Sequence, residues 1–316
     1  MKKLLSLSDD PYSLARFDGK PEDVCAALEE NGFDGIELMR WHDPQALPGV
    51  HVVGRHMPYW PAWLDFWRGD NQALVRQFDS MENAWMYYGC ATRDEFVTQR
   101  RAELLDAAAS GAGYAVFHVS HVELEHCYNR AYTYSDQDIV RAFIGFINEA
   151  AAGLDSDMAL LFENHWFPGL KLTDRALAEE LIKGVRHPHK GFVLDISHMM
   201  LAYGAMAEPY AADMILKQLD SLGDMAAYIR AVHLNSAAGA APLDMAFDGH
   251  ADFEARLLAA MRYVGSLDPH HPFLYGGIRQ VLDAAQPEFL AYELSFGTRQ
   301  ELKHIADQQN RALNNA

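Results

Sequence analysis

Six short apolar segments of this chain each end in a histidine, a glutamate or an aspartate. The segment HVVGR precedes His56, AVF precedes His118 and ALLF precedes Glu163. The remaining ends, in chain order, are Asp195 with His198, His233 and Glu293. In a (β/α)₈ barrel the carboxyl ends of the strands meet on one face, which carries the active site. The pattern therefore predicts a parallel barrel in which these side chains converge.

Strand-like and helix-like patterns alternate along almost the whole sequence. The predicted strands are Leu4–Ser8, Gly35–Met39, His51–Gly54, Tyr114–Val119, Met158–Glu163, Gly191–Asp195, Ile229–Leu234 and Phe289–Leu294. The predicted helices are Pro21–Asn31, Arg93–Ala109, Asp136–Ala152, Leu172–Lys183, Ala211–Leu222, Asp252–Val264 and Thr298–Leu313. This alternation is typical of α/β proteins with a parallel sheet. With 316 residues, we expect residues 1–316 to form a single (β/α)₈ TIM barrel domain.

An aromatic-rich insertion is predicted after the third strand, over about residues 58–92. It opens with PYWPAWLDFWRGD and is much longer than an ordinary βα loop, which is typical of lids and binding loops. Trp60 is accordingly a candidate substrate contact. The alternative is that the tryptophans pack a small helical cap against this barrel or a neighbour's, so a homo-oligomer is possible. The short second connection, Arg40–Val50, holds two prolines and predicts a degenerate helix.

The composition favours a soluble cytoplasmic protein that does not bind nucleic acid. The formal net charge is −18, and no basic patch is visible that would offset its repulsion of phosphate backbones. Three cysteines without CxxC spacing argue against a disulfide framework and for a reducing compartment. No segment has the length of a membrane span or a signal peptide.

Motifs around the strand ends resemble the xylose-isomerase-like TIM barrels, a family that includes sugar isomerases, sugar epimerases and the endonuclease IV group. The matching stretches are GFDGIEL at 32–38, HMPY at 56–59, FHVSH at 117–121, FEN at 162–164, LDISHMMLAYG at 194–204, VHLN at 232–235 and YEL at 292–294. The resemblance spans nearly the whole chain, and its most specific part is Asp195-x-x-His198 followed by an apolar helix start.

In the isomerase and epimerase branch, the resemblance implies one divalent ion held by Glu163, Asp195, His233 and Glu293. The two glutamates would flank the substrate and act as catalytic residues that remove and return a proton, because a carboxylate within reach of the substrate serves as a general base. His198 would contact the substrate or a further ion.

In the endonuclease IV branch, the resemblance implies a cluster of three metal ions. It would use the same four positions together with His56, His118 and His198, and a D-x-H pair after the seventh strand. Asp248 and His250 offer that spacing, although Asp252-Phe253-Glu254 follows where the family has a glycine-containing turn. The alternative for this pair is a solvated loop. One to three divalent ions per chain are therefore expected, and the mixed donor set accepts Mn, Zn, Fe or Co.

Three polar residues near the strand ends are candidate substrate contacts, namely His121, Asn164 and His165. His121 could instead orient a metal ligand. His187, His189, His270 and His271 lie in proline-containing turns, and we expect them at the surface.

The favoured function is a metal-dependent isomerase or epimerase of a sugar or a related small hydroxy-carbonyl compound. The alternatives are a di- or trinuclear phosphoesterase acting on a non-DNA substrate and a multinuclear iron oxidase of peptides. The motifs expected of the oxidases are missing at LDISH and VHLN. A non-enzymatic barrel that only binds metal or senses a ligand is the remaining alternative.

Overall fold

Eight parallel strands close into a barrel in the order in which they occur along the chain. The structure, a computed structural model, describes residues 1–41, 44–204 and 206–314. The strands are β1 (Lys2–Ser8), β2 (Gly35–Met39), β3 (Val52–His56), β4 (Tyr114–His118), β5 (Ala159–Glu163), β6 (Lys190–Asp195), β7 (Ile229–Leu234) and β8 (Phe289–Tyr292). β8 pairs with β1 and closes the ring. The predicted (β/α)₈ TIM barrel is confirmed.

Helices follow the strands and form the outer layer of the barrel. They are α1 (Pro11–Ala15), α2 (Pro21–Glu30), α3 (Leu64–Arg68), α4 (Asn71–Phe78), α5 (Met81–Tyr88), α6 (Arg93–Ala109), α7 (His126–Asn129), α8 (Asp136–Ala150), α9 (Arg175–Gly184), α10 (Ile196–Tyr203), α11 (Glu208–Leu222), α12 (Phe253–Leu267), α13 (Ile278–Ala285) and α14 (Arg299–Asn314), with a 3₁₀ helix at Gly223–Tyr228. Thr92 and Ser135 begin α6 and α8 with capping boxes, in which the cap and the third helical residue satisfy each other's backbone N–H groups.

The segment between β3 and β4 carries the three short helices α3, α4 and α5 within the span of the predicted insertion. Its aromatic side chains pack mainly on one another and on the barrel helices. Phe66 stacks on Tyr88 with ring centroids 4.2 Å apart, and Trp63 lies 5.7 Å from Phe146 of α8. In the described part of the connection between β2 and β3, no helix forms. Among the described helices, none is long and apolar enough to cross a membrane.

Side-chain alternation along the strands sets the position of the site. Alternate residues of a strand point to the same face. On β5 the buried residues Ala159 and Leu161 belong to the apolar filling of the barrel, together with Tyr114 and Val116 of β4. The next residue on the same face of β5 is Glu163. The lower barrel is thus a packed apolar core, and its upper end is lined by histidines and carboxylates.

Candidate metal centre

Glu163 is the hub of the polar cluster at the upper end of the barrel. Its side chain is fully buried, and Oε2 lies 3.1 Å from His56 Nε2 and 3.0 Å from His118 Nε2. Oε1 lies 3.2 Å from His198 Nδ1 and 3.6 Å from His233 Nδ1. The two oxygens of one carboxylate therefore face two different pairs of imidazoles, as a carboxylate shared between two cations would.

Two groups of potential ligands meet at Glu163. His56, His118 and Glu163 form one, and their ligand atoms all lie within 4.8 Å of one another. The quartet predicted from the sequence forms the other, within the same limit: Glu163, Asp195, His233 and Glu293. In this quartet His233 Nδ1 lies 3.5 Å from Glu293 Oε2 and 3.8 Å from Asp195 Oδ2.

A third group lies on the far side of His198 and contains a D-x-H pair other than the predicted one. His198 Nε2 is 3.3 Å from Asp268 Oδ2, and His270 Nε2 is 3.1 Å from the same oxygen. Asp268-x-His270 follows α12, whereas Asp248 and His250 precede it and are exposed. The Asp248 carboxylate is engaged locally by the His250 backbone N–H at 2.9 Å. The structure therefore brings Asp268 and His270, not Asp248 and His250, to the cluster. His270, which the sequence predicts at the surface, is 34% exposed and also reaches Asp268.

One histidine in each group is oriented by a hydrogen bond on one ring nitrogen, while its other nitrogen faces a carboxylate; for His198 the bonded nitrogen is Nδ1, which also lies beside Glu163, and the other, Nε2, faces Asp268. His56 Nδ1 bonds to the Met57 carbonyl at 3.1 Å, and His198 Nδ1 bonds to the Asn164 carbonyl at 2.8 Å. His233 Nε2 bonds to Glu37 Oε2 at 3.2 Å. In a neutral imidazole with one nitrogen donating, the other is an acceptor, and here it faces carboxylate oxygens. Acceptors that face acceptors need a cation or a proton between them, and metal-binding histidines are oriented in this way.

The buried imidazoles and carboxylates of the cluster shift one another's pKa values towards their charged forms. Burial disfavours the imidazolium form of His198 and His233, but the carboxylates around them outweigh burial and raise both pKa values well above the usual range. Burial likewise opposes ionisation of Glu163, but His118 and His233 hold its pKa well below the usual range. Protons on imidazoles balance the carboxylates when no cation does, and a bound divalent ion displaces such protons.

Asn164 and His165 lie beside the cluster in different roles. The Asn164 amide donates to the Asp195 carbonyl at 3.1 Å and accepts from the Asp195 N–H at 2.8 Å. The Asn164 side chain thus ties β5 to β6, and its contact with substrate stays a prediction. His165 Nδ1 accepts from the Phe167 N–H at 3.1 Å, so Nε2 carries the remaining ring proton. Its ring centroid lies 4.6 Å from that of His198, and burial lowers its pKa well below the usual range. His165 is thus a neutral donor next to the centre.

Trp60 and His121 make their polar contacts with the segment between β3 and β4. The indole N–H of Trp60 donates to the Tyr87 carbonyl at 3.4 Å, and the Arg100 guanidinium lies 3.7 Å from its ring centroid. His121 Nδ1 accepts from the Leu64 N–H at 3.2 Å. Both side chains support the β3–β4 segment in this structure, so their predicted contact with substrate gains no support here.

Glu37, a fully buried carboxylate of β2, belongs to the cluster but was not among the residues predicted from the sequence. It forms a further group of potential ligands with His56, His233 and Glu293. The missed signal was side-chain alternation in the GIELM strand, which places Glu37 on the same face as Gly35 and Met39. Glu37 lies in register with Gly54, two residues before the end of β2, where Met39 pairs with His56.

Comparisons with known proteins agree with the barrel. The model of the xylose isomerase-like TIM barrel family matches residues 25–278. Among solved structures, D-allulose 3-epimerase from Methylomonas sp. aligns with a TM-score of 0.55 and 13% identity, covering 100% of this chain and 97% of that one. The 3-keto-D-glucoside 4-epimerase of E. coli aligns with a TM-score of 0.52, 14% identity and 99% coverage of both chains.

Endonuclease IV from Thermus thermophilus aligns to a similar degree, with a TM-score of 0.51, 17% identity and 100% coverage of both chains. At these identities the alignments establish the fold alone. No curated protein matches the chain in sequence. The family match covers most of the chain, and the chain therefore belongs to the xylose isomerase-like TIM barrel family.

Proposed function

We propose that this chain is a multinuclear metal-dependent phosphoesterase that acts on a small phosphoester. The observation that carries the proposal is the third group, Asp268 and His270 beside His198, which joins two groups that share Glu163. A proton-shuttling isomerase needs the quartet alone. Nine residues in three adjacent groups exceed that need and suit a reaction in which several cations contact one phosphate.

The donor chemistry fits divalent transition metals. Five imidazoles and four carboxylates make up the three groups, and such mixed sets suit Zn, Mn, Fe or Co. Bound there, the ions would polarise the phosphoester oxygens and lower the pKa of an attacking water. Both Glu163 oxygens are occupied by imidazole contacts, so Glu163 holds the groups together and is poorly placed to move a proton to and from substrate carbon.

The protein residues around the centre would orient the substrate and exclude water. His165 would donate its remaining ring N–H to a substrate oxygen, and its neutral state at ordinary pH keeps that donor constant. Trp166 stacks on His165 with ring centroids 4.0 Å apart and covers one side. His270 is 34% exposed, whereas Glu163, His56 and His198 are 5% exposed or less. This favours approach of substrate from the His270 side.

A small phosphoester is favoured over DNA because the chain carries a formal charge of −18. Repulsion of a long phosphate backbone scales with the number of phosphates, whereas a single phosphate meets mainly the local charge of the centre.

The second candidate is the isomerase or epimerase predicted from the sequence. It is favoured by the grouping of Glu163 and Glu293 with Asp195 and His233, which would place two glutamates next to one ion.

Metal analysis combined with two activity assays separates the candidates. We expect close to three ions per chain, and hydrolysis of p-nitrophenyl phosphate or bis-p-nitrophenyl phosphate. His270→Ala should lose one ion and lower kcat by about 100-fold or more, because a metal ion supplies several kcal/mol of transition-state stabilisation. His250→Ala, the matched control in the exposed D-x-H pair, should change neither the ion count nor kcat. One ion per chain, no hydrolysis, and exchange of a ketose C–H in D₂O would establish the isomerase or epimerase instead.

A further inference from the structure

Glu37 is held in the barrel by contacts on two sides. The Tyr114 hydroxyl donates to Glu37 Oε2 at 2.6 Å. His233 Nε2 lies 3.2 Å from the same oxygen and 3.0 Å from Oε1. All three side chains are fully buried. The chain of contacts runs from the apolar filling of the barrel, through one carboxylate, to a histidine of the central quartet.

The contact with Glu37 determines which nitrogen of His233 faces the centre. A carboxylate accepts and does not donate, so it selects the tautomer with the proton on Nε2. When a cation displaces the second ring proton, Nδ1 is then the nitrogen left to bind it, and Nδ1 lies 3.5 to 3.8 Å from the carboxylate oxygens of Glu163, Glu293 and Asp195. A carboxylate bonded to the far nitrogen also increases the basicity of the ligating one.

Three hydrogen-bond acceptors orient histidines of the cluster, and Glu37 is the one that is a side chain rather than a backbone carbonyl. His56 and His198 bond to the Met57 and Asn164 carbonyls. A carbonyl fixes orientation but carries no full charge, whereas the Glu37 carboxylate adds negative charge to the imidazole that it orients. Tyr114 fixes the carboxylate in turn, and the Tyr114 ring lies against Phe289 with centroids 4.6 Å apart.

We propose that Glu37, anchored by Tyr114, is a positioning residue that orients His233 and strengthens its bond to a divalent cation in the quartet. The proposal rests on the metal centre proposed above but not on the reaction assigned to it. The competing arrangement has Glu37 itself as a ligand, in the group with His56, His233 and Glu293. The two arrangements differ in what is lost when the carboxylate is removed.

The test is a Co²⁺ titration of metal-depleted full-length protein, followed by its visible absorption and by chelator competition. Glu37→Gln keeps a hydrogen-bond acceptor and should weaken Co²⁺ binding about 10-fold, and Glu37→Leu should weaken it about 100-fold, within the range for such outer partners. Tyr114→Phe should fall between wild type and Glu37→Gln. Glu288→Gln is the control, since Glu288 is an exposed partner of Arg230, and it should change nothing.

Saturating Co²⁺ gives the decisive comparison. If the variants regain the wild-type number of ions and the wild-type spectrum at high Co²⁺, Glu37 acts through His233. A permanently missing ion or a shifted spectrum would make Glu37 a ligand and overturn the proposal, as would unchanged affinity in Glu37→Leu. Thermal unfolding of the metal-depleted variants identifies any loss due to misfolding. Because no substrate is used, an enzyme without phosphoesterase activity can still confirm or refute this inference.

Discussion

Gly54→Ala is expected to destabilise the barrel by pushing Tyr114 out of place. A Cβ added at Gly54 would lie 2.2 Å from Cζ and 2.5 and 2.6 Å from the two Cε atoms of the Tyr114 ring. Carbon atoms in contact sit about 3.5 to 4.0 Å apart, so the ring must move by more than about 1 Å. The ring is fully buried and lies against Phe289, which limits the space available for that movement.

The size of the effect follows from two costs. Overpacking of a well-filled core costs about 1–3 kcal/mol. Moving the hydroxyl by about 1 Å also breaks its 2.6 Å bond to Glu37, and a lost hydrogen bond to a buried charged group costs about 1.5–3 kcal/mol. We expect the free energy of unfolding to fall by roughly 3–5 kcal/mol, a large share of the roughly 5–15 kcal/mol that is typical of folded proteins.

Urea unfolding of metal-depleted protein measures this change without the stabilisation that a bound ion adds. Gly265→Ala in α12 is the control, because its Cβ would meet no atom within 4 Å, and the helix should gain up to about 1 kcal/mol. In a Tyr114→Ala background, Gly54→Ala should cost little, because the ring that it strikes is gone. A Gly54→Ala protein as stable as wild type, or equally destabilised with and without the ring, would refute the reasoning.

Two further predictions concern residues beside the centre. Asn164→Ala should lower the free energy of unfolding by roughly 2–5 kcal/mol, because two buried backbone groups of Asp195 lose their partners. Urea unfolding measures this change. Unchanged stability together with a raised KM would instead support the predicted contact with substrate. Burial lowers the pKa of His121 to about 3. As the pH falls below about 6.5, His121 becomes protonated in the unfolded chain but stays neutral in the native state. The free energy of unfolding therefore falls with the pH. His121→Gln should therefore lose less stability than wild type between pH 6.5 and 4.5 in urea unfolding, and parallel pH curves for the two proteins would contradict that assignment.

The strand-end ligands could be predicted because a parallel barrel converts a linear pattern into a convergent site. His56, His118, Glu163, Asp195, His233 and Glu293 each follow an apolar run, and all reach the cluster. Asp268 and His270 lie on either side of Pro269, directly after α12. In such a turn no regular period predicts which way a side chain points. Asp248 and His250 have the same spacing in an exposed loop, and spacing alone does not distinguish the two pairs.

Glu37 and Asn164 illustrate the other limit of sequence reasoning. Glu37 lies inside a strand, two residues before its end, and only the three-dimensional structure shows that its side chain reaches His233. Asn164 follows Glu163 directly, a position equally suited to meeting a ligand or a neighbouring strand. Its two bonds to Asp195 depend on the approach of β6, which the order of residues does not specify.

The charge of the cluster links the number of ions to the class of substrate. Glu37, Glu163, Asp195, Asp268 and Glu293 bring five negative charges when ionised, and neutral histidines bring none. Buried charge is costly unless it is paired. With every histidine neutral, one divalent ion would leave three negative charges, and protons held by His198 and His270, whose pKa values the carboxylates raise, would offset part of them. Such a centre would not attract a phosphate but would accept a neutral sugar. Three ions would leave one positive charge, which attracts a phosphate monoanion or dianion. The number of bound ions therefore predicts the charge of the substrate. A trinuclear centre specific for neutral sugars would contradict this prediction.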